Sequence, residues 1–307
     1  MLFRSPSWGF FFVRRHLLQG RSVISVTGRR PGRPDGDFAM KTPRVLSAAA
    51  AAASLFILTL YLTIAAGSVV SIWGVDWSWT GDHWIYSLDV GLDTLLVTLM
   101  AALVTTPAAV FGGMLAAFLI VRLNFSGRRL LELLCLLGSA LPGAAMGIGY
   151  ILTFNGAPFR LSGGALILIL LYVFRNLPLA VDIGTTAFRQ ISPRIEESSM
   201  NLGAGRLRTF RSVTLPLLKP ACATALIFTF IRSMTALSAV IFLVSARWNH
   251  MTVLIFAQTE IMRLGAASVM SLVLILIILS FIALVLKAVH LRGTDVVRLQ
   301  DTGVVHD

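Results

Sequence analysis

Side chains that could do chemistry are few in this 307-residue sequence, and their spacing does not assemble a catalytic or metal site. Glu196-Glu197 is the only adjacent acidic pair, and it stands in a basic stretch. The five histidines are scattered without HExxH spacing, and neither GxxxxGK[ST] nor GxSxG occurs. Cys135 and Cys222 lie in apolar stretches without CxxC spacing, which is typical of small buried side chains. We therefore predict no catalytic residue, no metal ligand and no cofactor on this chain.

The composition predicts the kind of structure that must position these residues. The chain is 56% hydrophobic and only 13% charged, with a mean hydropathy of +0.83. Soluble domains carry about 25% charged residues. These values exclude a disordered chain, a disulfide scaffold and an ordinary soluble enzyme, and they indicate an integral membrane protein.

Six membrane-spanning helices are predicted, since about 20 apolar residues cross a hydrocarbon core of about 30 Å. They lie at 46–70, 91–121, 130–153, 163–187, 220–245 and 266–290. Pro107 and Gly112-Gly113 predict that the long second span kinks, tilts or projects from the bilayer. The result is an all-α membrane domain over 46–290. A basic N-terminal segment at 1–45, in which Met40 is an alternative start, precedes it, and a tail at 291–307 follows.

The distribution of basic residues predicts the orientation. One side holds 21 Lys and Arg, in 1–45, 122–129, 188–219 and from 287 onward. The other side holds three, Arg160, Arg247 and Arg263. The positive-inside rule therefore places both termini in the cytoplasm. The outer loop at 71–90 has four Trp and no Lys or Arg, which is typical of an interfacial belt. The net charge of +12 thus reflects orientation, and we expect no nucleic-acid partner.

Charges near the middle of predicted spans are costly, and two arginines stand there. Arg175 and Arg232 lie near the middle of the fourth and fifth spans, and Asp182 follows Arg175 by two turns on the same helix face. Such groups face a bundle interior, a cavity or a partner. Two interpretations stay open, a structural ion pair or network and the lining of a path.

The 188–219 loop is predicted to form helix, glycine turn and helix. Ser192-Pro193 supplies an N-cap hydroxyl and a proline at the first helical position. Gly203 and Gly205 stop that helix, with Gly203 in left-handed geometry. A second short helix follows, with Leu207, Phe210 and Val213 on one face. Leu215-Pro216 closes it and starts the fifth span. On hydrophobic pattern alone, an amphipathic loop without special meaning is the alternative.

The order of residues in this loop resembles the EAA motif of ABC importer permeases, which is E-A-A, three residues, Gly, nine residues and I-x-L-P. Here it is Glu197-Ser198-Ser199, Gly203 and Val213-Thr214-Leu215-Pro216, with both spacings kept and serines replacing the alanines. Other segments resemble iron(III) importer permeases in particular: Trp73-Gly74-Val75-Asp76, Ala140-Leu141-Pro142-Gly143, Arg175-Asn176-Leu177-Pro178 and Met234 to Val244. Arg21 to Gly28 is similar to the connector between two fused six-span halves, so the chain corresponds to a second half.

The resemblance implies a type I (MetI-like) permease bundle in a bacterial inner membrane. A separate cytoplasmic ATPase dimer, which carries ATP and Mg, would dock on the loop. The implied coupling residues are Glu196, Glu197, Ser198, Ser199, Gly203, Leu215 and Pro216. A periplasmic binding protein would deliver the cargo, and a second permease half, copy or paralogue, would complete the subunit pair in the lipid bilayer.

The implied cargo is ferric iron. A phosphonate or another small anion is the alternative within the same machinery, because Arg175 and Arg232 beside a path would repel a bare ferric ion. Two alternatives come from other classes of protein, a secondary transporter without an ATPase and a membrane assembly subunit that transports nothing.

Overall fold

The fold comes from a computed structural model, which describes residues 44–156, 161 and 163–301. Its elements in chain order are α1 (Arg44–Gly67), β1 (Val70–Ile72), β2 (Asp76–Trp79), α2 (Asp82–Arg122), α3 (Arg128–Ala140), α4 (Gly143–Phe154), α5 (Ala165–Gln190), α6 (Pro193–Asn201), α7 (Arg206–Thr209), α8 (Leu215–Met234), α9 (Met251–Glu260) and α10 (Leu264–Asp301). A π-helical turn covers Phe210–Thr214 and a 3₁₀ turn covers Val240–Phe242. The N-terminal segment before residue 44, Arg160 and the tail after Asp301 lie outside the described residues.

The all-α membrane architecture predicted from composition is confirmed. Within the described residues, five helices are long and apolar enough to cross a membrane: α1, α2, α5, α8 with the turns before it, and α10. The pair α3 and α4 makes a sixth if it is counted as one broken span. The chain divides into two compact units, Met1–Leu58 and Thr59–Asp307. In the first, the described side chains from Val45 onward are exposed, as expected for an apolar helix that faces lipid.

The predicted third span at 130–153 is broken into two helices. α3 and α4 meet at an angle of 107° across Leu141-Pro142. The cause is local, because a proline disfavours helical geometry in the residue before it. Leu141 accordingly has an extended conformation, with φ −86° and ψ 133°, and Pro142 becomes the N-cap of α4.

The predicted fifth span at 220–245 also needs correction. The helix runs through Pro216 and Pro220 and ends at Met234, so that Arg232 lies in its last turn rather than near the middle of a span. The chain then continues through the 3₁₀ turn into the short helix α9. This connection is apolar enough to mimic a span. Its backbone carbonyls, however, accept hydrogen bonds from side chains outside α8 and the 3₁₀ turn, as described below.

The predicted outer loop at 71–90 is a hairpin followed by the start of α2. Residues 70–79 form an antiparallel hairpin in which Val70 pairs with Trp79. α2 already begins at Asp82, whose N–H donates to Thr80 Oγ1 at 3.1 Å. It is one helix of 41 residues that includes Pro107, about 62 Å long at 1.5 Å per residue. That length exceeds a bilayer core of about 30 Å, so α2 must tilt or project beyond it.

The core of the second unit is formed by α2, α5 and α8. α2 and α5 approach closely because small residues face each other: a Cβ on Gly113 would overlap Ala180, and one on Gly184 would meet Ala117. Phe230 of α8 stacks on Phe281 of α10 with ring centroids 3.8 Å apart. α2 and α5 end, and α8 begins, at the end of the bundle that carries the 188–219 loop. The start of α2 lies at the opposite end, where Ser87 Oγ donates to the carbonyl of Ala266 near the start of α10.

Candidate functional site

The first half of the 188–219 loop is a short helix with a left-handed stop. α6 begins at Pro193, as predicted, but the Ser192 hydroxyl makes no capping hydrogen bond. At the other end Gly203 has φ +86°, the left-handed geometry predicted for it. The N–H of Gly203 donates to Met200 O at 2.9 Å and that of Ala204 donates to Ser199 O at 3.2 Å. These two bonds are a Schellman cap, which satisfies the last carbonyls of the helix.

The second half differs from the prediction of a separate short helix. α7, the π-helical turn and α8 follow one another without a break, so Leu215-Pro216 does not close a helix. Leu215 N–H bonds to Phe210 O, the i→i−5 pattern of a π turn. Pro216 has no N–H, so it donates no backbone hydrogen bond at the next position of the helix. Leu207 and Phe210 were predicted to lie on one apolar face, but their surroundings differ. Phe210 packs edge-on against Phe118 of α2, while Leu207 is 67% exposed.

The two adjacent glutamates of the loop have opposite surroundings. Glu196 Oε1 accepts from Arg122 Nη2 at 3.3 Å and from Thr214 Oγ1 at 3.0 Å. Arg122 is the last residue of α2, and its Nη2 also donates to the Ile191 carbonyl at 2.9 Å. One guanidinium therefore joins α2, the end of α5 and α6. Glu197 is exposed, and its carboxylate makes no hydrogen bond to any residue that the structure describes.

The two serines of the motif-like triplet also differ. Ser199 Oγ lies 3.1 Å from Thr209 Oγ1, so this hydroxyl pair bridges α6 and α7 across the glycine turn. Ser198 Oγ donates to Arg194 O at 2.7 Å within its own helix and is exposed. Beside them Leu202 is 90% exposed. The outer surface of the loop thus presents Glu197, Ser198 and Leu202, while Glu196 and Ser199 bind inward.

A second site lies where α5, α8 and the start of α9 meet. Six residues form what we call the central polar cluster: Tyr172, Arg175, Asn176, Arg232, Ser233 and His250. Asn176 Nδ2 donates to Ser233 Oγ at 3.0 Å, a buried contact between α5 and α8. Arg175 and Arg232 immediately precede these two residues and lie close enough for their guanidinium groups to repel each other.

His250 closes the cluster and joins two helix ends. Its Nδ1 accepts from the N–H of Thr252 at 3.3 Å, so it caps the start of α9. Its Nε2 then carries the proton and donates to Ser233 O at 3.2 Å, at the end of α8. The Thr252 hydroxyl lies 2.7 Å from His250 Nδ1 and also contacts the Ala236 carbonyl, and it can donate its one proton to only one of them. Met251 N–H donates to Thr98 Oγ1 of α2 at 2.8 Å. Burial lowers the pKa of His250 to about 4, although its bond to the Ser233 carbonyl opposes the shift, and the ring is neutral at physiological pH.

The hypothesis of an ion pair between Arg175 and Asp182 is wrong. Asp182 is exposed, and the ion pair between Arg122 and Glu196 is the only one among the described residues. The described part of the chain also brings together no group of three His, Cys, Asp or Glu side chains that could hold a metal ion. Sequence reasoning missed the roles of Arg122, Ser233 and His250, and it named Thr214 only as part of the motif. Of the three missed residues only Arg122 carried a signal, since it is the first charge after a long apolar run.

The chain is similar in sequence to a family of transport proteins and to individual permeases. The family described as "Binding-protein-dependent transport system inner membrane component" matches residues 109–295. "Ferric transport system permease protein FbpB" of Actinobacillus pleuropneumoniae is 31% identical over 277 residues, which are 89% of this chain and 40% of that protein. The chain therefore spans less than half of this relative. "Sulfate transport system permease protein CysT" of Salmonella typhimurium is 31% identical over 192 residues, covering 58% of this chain and 69% of that one.

The fold has a counterpart among solved structures. A bacterial alginate ABC transporter, solved in complex with an alginate pentasaccharide-bound periplasmic protein, contains a similar chain with a TM-score of 0.63. The match covers 80% of this chain and 94% of the other at 16% sequence identity. At that sequence identity the similarity shows a shared fold and nothing about function.

Proposed function

Since this chain belongs to the family of binding-protein-dependent transport system inner membrane components, we propose that it couples a separate ATPase to the movement of ferric iron across a bacterial inner membrane. A periplasmic binding protein delivers the cargo, a second permease half completes the pathway, and both termini of this chain face the cytoplasm. ATP hydrolysis takes place on the ATPase dimer, so that this subunit is a transporter component and not an enzyme.

The observation that carries this proposal is the shape of the 188–219 loop. The left-handed Gly203 holds α6 against α7 at the end of the bundle where α2 and α5 finish. The loop is fixed inward by Glu196 and Ser199, and it presents the 90% exposed Leu202 outward. A rigid helix–turn–helix with an exposed apolar side chain can transmit a push from a docked subunit into α8, which continues from it without a break.

Ferric iron is proposed as cargo because of the similarity to a ferric transport system permease over 89% of the chain. The second candidate is a small oxyanion. Similarity to a sulfate transport system permease supports it, and so do Arg175 and Arg232, which repel a bare cation.

Uptake of labelled ferric iron by iron-starved cells, with redundant iron systems deleted, tests the cargo and the coupling together. We expect a defect without the gene, restored by the intact gene and not by Leu202→Asp. Val75→Asp is the matched control, since Val75 is 79% exposed on the hairpin near the opposite end of the bundle. Iron uptake that does not depend on the gene would exclude iron. Uptake that continues without the ATPase would indicate a secondary transporter, and no transport defect for any cargo would indicate an assembly subunit.

A further inference from the structure

The central polar cluster contains two cations and no anion of its own. Arg175 on α5 and Arg232 on α8 each precede a partner in the Asn176–Ser233 hydrogen bond, which brings the backbones of the two helices together here. Both side chains are half-buried. Among the described residues neither forms an ion pair. Removing charge from water is costly, so such groups are normally paired or face a cavity or ligand.

Buried polar atoms around the two arginines also lack partners. Nη1 of Arg175 is buried and bonds to no described residue. The same holds for the hydroxyl of Tyr172, one turn before Arg175, and for that of Thr229, one turn before Arg232. Buried polar groups are nearly always hydrogen-bonded, so three unmet groups here require an explanation. All three can donate a proton, and the guanidinium can only donate.

One acceptor of the cluster, the buried Asn176 Oδ1, also bonds to no described residue and needs a donor. Ser233 Oγ already accepts from Asn176, and Ser233 O already accepts from His250. Asp182 is exposed, two turns away from Arg175 along α5. His250, on the other side of Ser233, is neutral and fixed at both ring nitrogens. A guest that bonds to the three donors must therefore bring acceptors and negative charge, and a hydroxyl on it, as on a protonated phosphate, can donate to Asn176 Oδ1.

We propose that Arg175 and Arg232 form a binding site for an oxyanion, a phosphate, phosphonate or carboxylate group, between α5 and α8. Guanidinium groups match such groups with two parallel N–H···O bonds. As an assignment of cargo this rests on the proposed transport function: the cargo reaches the cluster as an anion, or as ferric iron held by carboxylate or phosphate ligands, and not as a bare ferric ion.

Binding is tested on the assembled transporter in lipid nanodiscs, without ATP, by titrating inorganic phosphate against chloride at equal ionic strength in a calorimeter. We expect saturable phosphate binding that weakens at least tenfold in Arg175→Gln and in Arg232→Gln. Arg175→Lys keeps the charge but loses the planar fork, and it should lie between the wild type and Arg175→Gln. Arg247→Gln is the matched control, because Arg247 is exposed beside Trp248 and outside the cluster.

Two further ligands, methylphosphonate and ferric citrate, distinguish a free anion from a chelated metal ion. Absence of phosphate binding by the wild type, or equal binding by Arg175→Gln and Arg232→Gln, would overturn the proposal. If those variants instead reduce the recovery of paired permease halves, the arginines bind a carboxylate of the second half and the oxyanion site is wrong. ATP hydrolysis stimulated by loaded binding protein is measured separately, and its absence would refute the proposed function without bearing on phosphate binding.

Discussion

Glu196 in the 188–219 loop and Arg175 in α5 are both partly buried charges, and their surroundings differ in one respect. Glu196 has a guanidinium at 3.3 Å and a hydroxyl at 3.0 Å, both from this chain. Arg175 has a buried Nη1 without a described partner and a second guanidinium beside it. A charge that the chain matches itself holds its own architecture together. A charge that it leaves unmatched indicates a place where another molecule must bind.

The largest effect is expected from a change that alters the shape of the loop without touching a charge. Gly203 has φ +86°, and left-handed geometry costs an L-residue about 1–2 kcal/mol, more when the side chain is branched. Gly203→Val should reduce ATP-driven uptake more than tenfold while membrane insertion stays normal, because the Schellman cap no longer forms. Gly205→Ala is the control: Gly205 has φ −66° and equally open space around it. Normal transport by well-expressed Gly203→Val would show that the turn has no role in coupling.

The next prediction concerns the ion pair between Arg122 and Glu196, in which the chain matches its own charge. Arg122 and Glu196 have side chains only 11% and 20% exposed, so Arg122→Gln leaves a poorly solvated carboxylate without its cation. We expect a loss of stability of about 2 kcal/mol, measured by thermal unfolding of the purified protein. Exchanging the two charges, in a chain with Arg122→Glu and Glu196→Arg, should recover part of that loss. A double exchange no better than the sum of its single changes would contradict a direct pair.

A smaller and sharper difference separates the two adjacent glutamates. Glu196→Gln should lower the free energy of unfolding by about 1 kcal/mol, since the neutral amide still accepts from Thr214 but no longer pairs with Arg122. Glu197→Gln should change it by less than about 0.5 kcal/mol, because Glu197 is exposed, and should instead weaken capture of the ATPase subunit. Thermal unfolding and co-purification of the ATPase measure the two effects. Equal behaviour of the two variants would remove the distinction between inward and outward carboxylates.

Apolar periodicity and turn residues predicted the helices that long, uniform apolar runs form. α1, α5 and α10 begin within a few residues of their predicted starts, and the left-handed turn at Gly203 follows from glycine spacing. Hydropathy could not predict the break at Leu141-Pro142, since a bent pair is as apolar as a straight span. Hydropathy also could not predict that α8 ends at Met234, because the residues that follow are apolar as well. Side chains from later in the chain donate the hydrogen bonds to the backbone carbonyls there.

The pairings within the candidate sites depend on tertiary contacts that spacing does not contain. Glu196 and Arg122 are separated by 74 positions, and Asn176 and Ser233 by 57. Asp182 shares a helix face with Arg175, which made their pairing plausible, but α5 exposes Asp182 and turns Arg175 partly inward. The sequence singled out Arg175, Asp182 and Arg232 but not Arg122, and it left their surroundings open, because burial depends on how the helices pack against one another.

The last predicted effect appears only in acid and concerns His250, the neutral neighbour of the unmatched arginines. Burial lowers the pKa of His250 from 6.5 to about 4, so its stabilising contribution is complete above about pH 6.5 and is lost as the pH falls toward 4, where the unfolded chain binds the proton first. At about pH 5.5 the loss should be about 1 kcal/mol relative to neutral pH. His250→Asn keeps an acceptor for the Thr252 N–H but does not titrate, so thermal unfolding of this variant should lack that part of the acid dependence. Identical acid dependence in the variant and the wild type would mean that His250 is not held neutral beside Arg175 and Arg232, and that the cluster tolerates a third cation.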